Sequence, residues 1–113
     1  MLQRNVRIPD LVQSRCSITI VAVLVDSAQR IDRGLELCRL RVDLGQSLAV
    51  NCPPIFDVLL ISREGGVVDR VLVKNGATVS CGQCVLTVEA ESGGQSQSRE
   101  RDLRISSVVV PIV

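Results

Sequence analysis

Residues 23–40 recur as residues 71–88 without a gap, at an offset of 48 throughout. Val23, Leu24, Val25 and Gly34 meet identical Val71, Leu72, Val73 and Gly82, and the pairs Ile31/Val79, Leu37/Val85 and Leu40/Val88 match in apolar kind. A repeat constrains folding strongly, because one unit leaves an apolar face that the second has to cover. Each unit reads as strand, turn, short strand, Gly turn, strand. Gly34 and Gly82 supply the positive φ that a tight reversal often demands. Gly66 and Gly76 are further turn positions. The expected arrangement is two units packed about a pseudo-twofold axis.

The other segments fit this picture. Val6 to Pro9, Ile18 to Val25, Leu35 to Val42, Ser47 to Asn51, Ile55 to Ile61, Val67 to Lys74, Val85 to Ala90 and Leu103 to Val113 all read as strands. Turn signals separate them every eight to twelve residues or so, the spacing of an all-β sandwich or barrel. Pro53-Pro54 excludes helix at the start of the fifth segment. No window has a helical period, and Asp26 to Arg33, the best helix candidate, is short and polar and reads as a loop. Hydrophobic residues make up 46% of the chain, and Phe56 is the one aromatic. Such a core of Val, Ile and Leu suits short strands of small cross-section. Residues 1–92 form the expected domain. Residues 93–102, rich in Gly, Ser and Gln, read as a flexible linker. Residues 103–113 read as a C-terminal strand packing on the domain or on a neighbouring subunit, which makes this segment a candidate for homo-oligomerisation.

Composition removes many activities. The chain has no His, so it has no Ser-His-Asp triad, no Cys-His nucleophile pair and no mixed Cys/His zinc site. Without aromatic platforms, base stacking on nucleic acid is not expected. The net charge of +1 gives no general attraction to nucleic acid or anionic lipid. The longest apolar run, Ile18 to Val25, is far shorter than the roughly 20 residues a membrane helix needs. No targeting segment is visible, and the expectation is a soluble, cytoplasmic protein without membrane insertion. The five cysteines, at 16, 38, 52, 81 and 84, are then expected to be reduced. Cys38, in an apolar run, reads as a small core residue.

The stretch from Gly66 to Ala90, with Val71, Gly76, Val79, Gly82-Gln83 and Glu89-Ala90 in order, resembles the half-motif of biotinyl and lipoyl carrier domains. Val6-Arg7-Ile8-Pro9-Asp10 is similar to the opening strand of lipoyl domains, and Val23 to Leu40 to their first repeat. The resemblance covers about residues 6 to 92. It implies a flattened barrel-sandwich hybrid of two four-stranded antiparallel sheets with quasi-twofold symmetry. It also implies a hairpin-tip lysine carrying biotin or lipoate. Leu44, after Asp43, stands where the lipoyl lysine belongs, and Ser92, after Glu89-Ala90-Glu91, where the biotinyl lysine belongs. The segment from Asp43 to Gly65 is longer than the family pattern. Lys74, the single lysine, aligns with a strand end before a turn.

Other chemistry is weaker. Cys81-Gly82-Gln83-Cys84 has CxxC spacing, but strand-like sequence flanks it on both sides, whereas such thiols are activated at a helix start. The same pair is half of a possible zinc site without a second pair to complete it. Asp26 with Asp32, and Glu89 with Glu91, read as solvated loop charges rather than an acid–base pair. Gly65-Gly66 lacks the lysine and following helix of a phosphate loop. The sequence therefore predicts a non-catalytic structural or protein-interaction module with no attached cofactor, no metal and a protein partner. The alternatives are a small redox or metal-binding protein using Cys81 and Cys84, or a carrier modified at Lys74.

Overall fold

The computed structural model describes residues 2–10, 17–43, 55–90 and 102–110. The predicted strand Ser47 to Asn51, and residues 93–101 of the predicted linker, lie outside them. Nine strands form among the described residues: β1 (Leu2–Arg7), β2 (Ser17–Val23), β3 (Arg30–Ile31), β4 (Glu36–Asp43), β5 (Ile55–Ser62), β6 (Gly66–Val71), β7 (Thr78–Val79), β8 (Cys84–Ala90) and β9 (Ile105–Val110). The protein is all-β. One sheet has the order β1-β8-β6-β3, the other β7-β2-β4-β5-β9, and every strand pair is antiparallel. No helix among the described residues is long and apolar enough to cross a membrane.

Alternation along the strands builds the core. Ile18 and Ile20 in β2, Leu40 and Val42 in β4, Val58 and Leu60 in β5, and Val68, Leu86 and Val88 in β6 and β8 join one buried cluster fed by both sheets. Successive side chains of a strand point to opposite faces, so every second residue of these branched aliphatics reaches the interior. Cys38 is buried among them. The predicted strands Ile18 to Val25 and Val67 to Lys74 stop earlier, at Val23 and Val71, because the chain then turns: Val25 is buried, but from the turn rather than from a strand.

The hydrogen bonding of the two repeated segments corresponds at the offset of 48. In β2–β4, Ile18 faces Val42 and Ile20 faces Leu40, and the register then shifts before Ala22. In β6–β8, Gly66 faces Ala90 and Val68 faces Val88, and the register shifts before Arg70. Gln29 N donates to Asp26 O at 3.1 Å, and Ala77 N to Lys74 O at 3.0 Å. Leu35 N donates to Asp32 O at 3.0 Å, and Gln83 N to Ser80 O at 3.1 Å. Gly34 and Gly82 have φ of 95° and 84°, and Ala28 and Gly76 have 68° and 89°. Gly66 is placed otherwise than in a turn. It is the first residue of β6, buried between Ile31 of β3 and Ala90 of β8.

One further difference concerns β9. The resemblance implies four strands in each sheet, but β9 gives one sheet a fifth. It pairs with β5 of the same chain, from Asp57↔Val110 to Ser62↔Ile105.

Ala28 is the one non-glycine residue with positive φ among the described residues. An L-residue with a Cβ is strained there by about 1–2 kcal/mol, against a smaller unfolded-state entropy term for glycine. Ala28→Gly should therefore raise stability by about 0.5–1 kcal/mol. A Cβ at Gly76 meets no atom within 4 Å, so Gly76→Ala should cost a similar amount through backbone strain alone. Urea denaturation of the two variants checks both signs.

Candidate functional site

Lys74 opens the turn between β6 and β7 and is exposed. The turn does not stand free. Gly76 N donates to Ile20 O at 2.7 Å, Asn75 Oδ1 accepts from Val23 N at 2.9 Å, and Ile20 N donates to Ala77 O at 2.8 Å. The lysine therefore sits on a turn fastened to β2 of the other sheet. Leu44 and Ser92, the positions aligned with carrier lysines, lie outside the described residues.

Cys81 and Cys84 lie at the turn between β7 and β8. Cys81 is exposed and Cys84 half-buried, and both are free thiols, as is Cys38. The turn is closed by Gln83 N to Ser80 O, and Gln83 Oε1 accepts from Ser80 N at 3.1 Å. Cys84 Sγ donates to Leu86 O at 3.4 Å. Strands flank the pair, so it lacks the row of helix-end N–H groups that stabilises a reactive thiolate. Cys16 and Cys52 lie outside the described residues. Among the described residues, no three His, Cys, Asp or Glu side chains gather as a metal site. Burial of Cys38 pushes its thiol up to about 12, because a thiolate in the apolar core has lost its hydration.

Of the carboxylates considered from sequence, Asp26, Asp32 and Glu89 are among the described residues. Asp32 faces Arg30 at 3.8 Å on the surface, and Asp26 is exposed at the turn after β2. Glu89 is half-buried in β8, and Glu91 lies outside the described residues.

The structure instead singles out Asp57, which the sequence reading passed over. Asp57 is fully buried within β5. Its Oδ2 accepts from Arg39 Nε at 2.6 Å, and its Oδ1 accepts from Arg41 Nε at 2.9 Å, with Arg41 Nη2 at 3.3 Å from Oδ2. Strand register makes this possible: Arg41 lies directly opposite Asp57, and Arg39 opposite Leu59. Both arginines occupy the β4 positions that alternate with Leu40 and Val42, so they share the face away from the core. The two guanidiniums roof the carboxylate while remaining partly in water. The hydrogen bond from Arg41 holds the Asp57 carboxyl below the usual carboxylate range. Burial opposes this, and Arg39 reinforces it. A carboxylate kept ionised in this way is a poor proton donor near neutral pH. Its visible role is to bind β4 to β5 on the outer face. The available signal was the alternation Arg39-Leu40-Arg41 beside an aspartate in the apolar run Ile55 to Ile61.

Comparison with protein-family models, curated proteins and solved structures returns no match for this chain.

Two outcomes follow from these environments. In the native protein Cys81 should be alkylated by iodoacetamide within minutes, while Cys38 should react only after unfolding; peptide mapping reads both. Asp57→Asn should lose about 1–3 kcal/mol at pH 7, since hydrogen bonds to charged groups weaken while both guanidiniums can rehydrate. The lowered carboxyl stabilises the fold fully above the ordinary value of about 3.9, and that contribution is lost as the pH falls below it. The gap between native protein and Asp57→Asn should therefore narrow on acidification, as measured by denaturant midpoints from pH 7 to 2.

Proposed function

We propose that the chain is a degenerate biotinyl/lipoyl-like module that works through contact with another protein and carries no attached group. In this reading the two sheets form the barrel-sandwich hybrid of that family, and the two repeated segments are its quasi-symmetric halves. The matching registers, bulges and turn conformations at the offset of 48 support the scaffold part.

The observation that carries the non-carrier part is the setting of Lys74. A swinging arm needs its lysine at a projecting hairpin tip, whereas the turn that starts at Lys74 is fastened to β2 by hydrogen bonds at 2.7, 2.8 and 2.9 Å. The redox alternative has the opposite problem: Cys81 is accessible, but the pair has strands on both sides. Free thiols at Cys38, Cys81 and Cys84 suit a reducing compartment, which this reading takes to be the cytoplasm.

Co-expression with biotin and lipoyl ligases, followed by intact-mass measurement, tests the proposal. The expected mass is that of the unmodified chain. A biotin or lipoyl adduct at Lys74 would overturn it, and catalysis of insulin reduction by the purified protein would transfer the assignment to the cysteine pair.

A further inference from the structure

β9 ends the five-stranded sheet, so its side away from β5 is a sheet edge. Hydrogen bonds at the end of β5 fix which backbone groups reach that edge. Arg63 N donates to Arg104 O at 2.9 Å, so Arg63 turns its polar groups toward the β9 segment. Ser62 turns the other way: its O accepts from Gly34 N at 2.7 Å, and its N donates to Leu35 O at 2.9 Å. Ladder groups alternate along an antiparallel strand. Ser106, Val108 and Val110 therefore bond toward Ile61, Leu59 and Asp57, while Ile105, Ser107 and Val109 aim their N–H and C=O away from β5. Leu103 shares the outward phase, and its N donates to Asn5 O of β1 at 2.8 Å. Among the described residues, no strand pairs with the outward side of Ile105 to Val109.

The four sheet edges are not built alike. β3 and β7 are two residues long. β1 carries Arg4 and Arg7, shifts register between Val6 and Arg7, and is met by Leu103. Shortness, charge, a bulge and cover are the usual means of keeping an edge from pairing with another chain. β9 uses none of them. Its six residues, Ile-Ser-Ser-Val-Val-Val, include no charge and no proline, and their register with β5 runs without a shift.

The exposed side chains point to the same kind of contact. Val109 is 64% exposed and Val108 45%. Val109 stands opposite Val58, on the core side of the sheet, and Val108 opposite Leu59, on the outer side. A partner docked on one face would reach one of them. A strand added alongside β9 extends both faces and covers both.

We propose that β9 is the interface of a homodimer, in which the β9 of a second copy pairs with it antiparallel about a twofold axis at Ser107. Outward-facing residues have to meet outward-facing residues. With the axis at Ser107, Ile105 pairs with the partner's Val109, Ser107 with the partner's Ser107 and Val109 with the partner's Ile105. Sliding either way to the next allowed register moves Ile105 or Val109 past the end of the opposing strand. The register that uses every outward group also sets the exposed Val109 against the partner's Ile105, whose equivalent packs on the core. It brings two hydroxyls together at the axis and places Val108 beside the partner's Ser106, all compatible cross-strand neighbours. A foreign strand would have to supply this match, whereas a second copy has it by symmetry. Pairing uses up both β9 edges, and the remaining edges are protected, so assembly stops at the dimer. Six residues a side fall well below the roughly 20–30 of a stable interface, so the dimer should be concentration-dependent. This pairing goes beyond the reading given above and stands whether or not Lys74 is modified.

Sedimentation equilibrium and residue-resolved amide hydrogen exchange on the full chain, from about 1 μM to 1 mM, test this. The mass should rise with concentration to twice that of the chain and no further. Exchange at Ile105, Ser107 and Val109 should slow at least tenfold over the same range, while Ser106, Val108 and Val110 stay protected throughout. Val109→Lys and, separately, Ser107→Pro should remain monomeric. The Ser107 N–H points away from β5, so the proline removes no bond within the sheet. Leu72→Lys, at a turn residue 50% exposed, adds the same charge elsewhere and should dimerise as the wild type does. The proposal fails if the mass is that of one chain at every concentration, or if the alternate amides are already protected in the dilute protein. It fails equally if dimerisation leaves those amides unchanged, or if all three variants weaken it alike. A Lys74 adduct in the mass measurement leaves the sedimentation result untouched, so the two failures are distinguishable.

Discussion

Ala28 N donates to Val68 O, and Gly76 N donates to Ile20 O, each at 2.7 Å. Val68 N returns a bond to Gln29 O, and Ile20 N one to Ala77 O, each at 2.8 Å. The turn of each repeated unit is thereby fastened to the long strand of the other. The short strands β3 and β7 are products of this exchange, because β3 lies beside β6 in one sheet and β7 beside β2 in the other. Neither unit completes a sheet alone. The shared apolar cluster can close because each unit lends strands to both sheets, and the positive φ values at Ala28 and Gly76 let the lending turns reach across.

The strand bodies were legible because Val, Ile and Leu crowd into short runs, with alternation visible at Ile18 and Ile20, at Leu40 and Val42, and at Leu86 and Val88. That alternation is local and needs no knowledge of neighbours. The ends were less legible. Val25 and Val73 are as apolar as the strands they follow, yet they leave the ladder for the turn, and composition does not separate a buried turn residue from a buried strand residue. The kind of residue at position 28 was also misleading by itself. Only its correspondence to Gly76 hints that an alanine there takes a left-handed backbone.

The polar clusters were hidden for a different reason: they depend on register. Arg39 and Arg41 reach Asp57 only because β4 and β5 pair with Arg41 opposite Asp57. A shift by one residue would send the carboxylate to the opposite face, away from Arg39 and Arg41. A groove lined by Arg33, Arg63 and Arg104 needs still more, namely the docking of the Gly34 turn onto Ser62 and the addition of β9 beside β5. From sequence these arginines are scattered; the topology gathers them. The same topology makes the two Gly-turn junctions chemically unlike. One Gly turn presents arginine, and its counterpart presents a thiol.

The pairing of β1 with β8, from Leu2↔Ala90 to Arg7↔Cys84, also governs the order of events during synthesis. Once made, β1 waits for β8 until about 80 more residues have been added, roughly 4–16 s at ordinary elongation rates. Until then it presents an unpaired edge, the kind of surface on which chains associate wrongly. The four-stranded sheet is therefore assembled late and from distant parts. During that interval β1 is open to chaperones and to neighbouring copies.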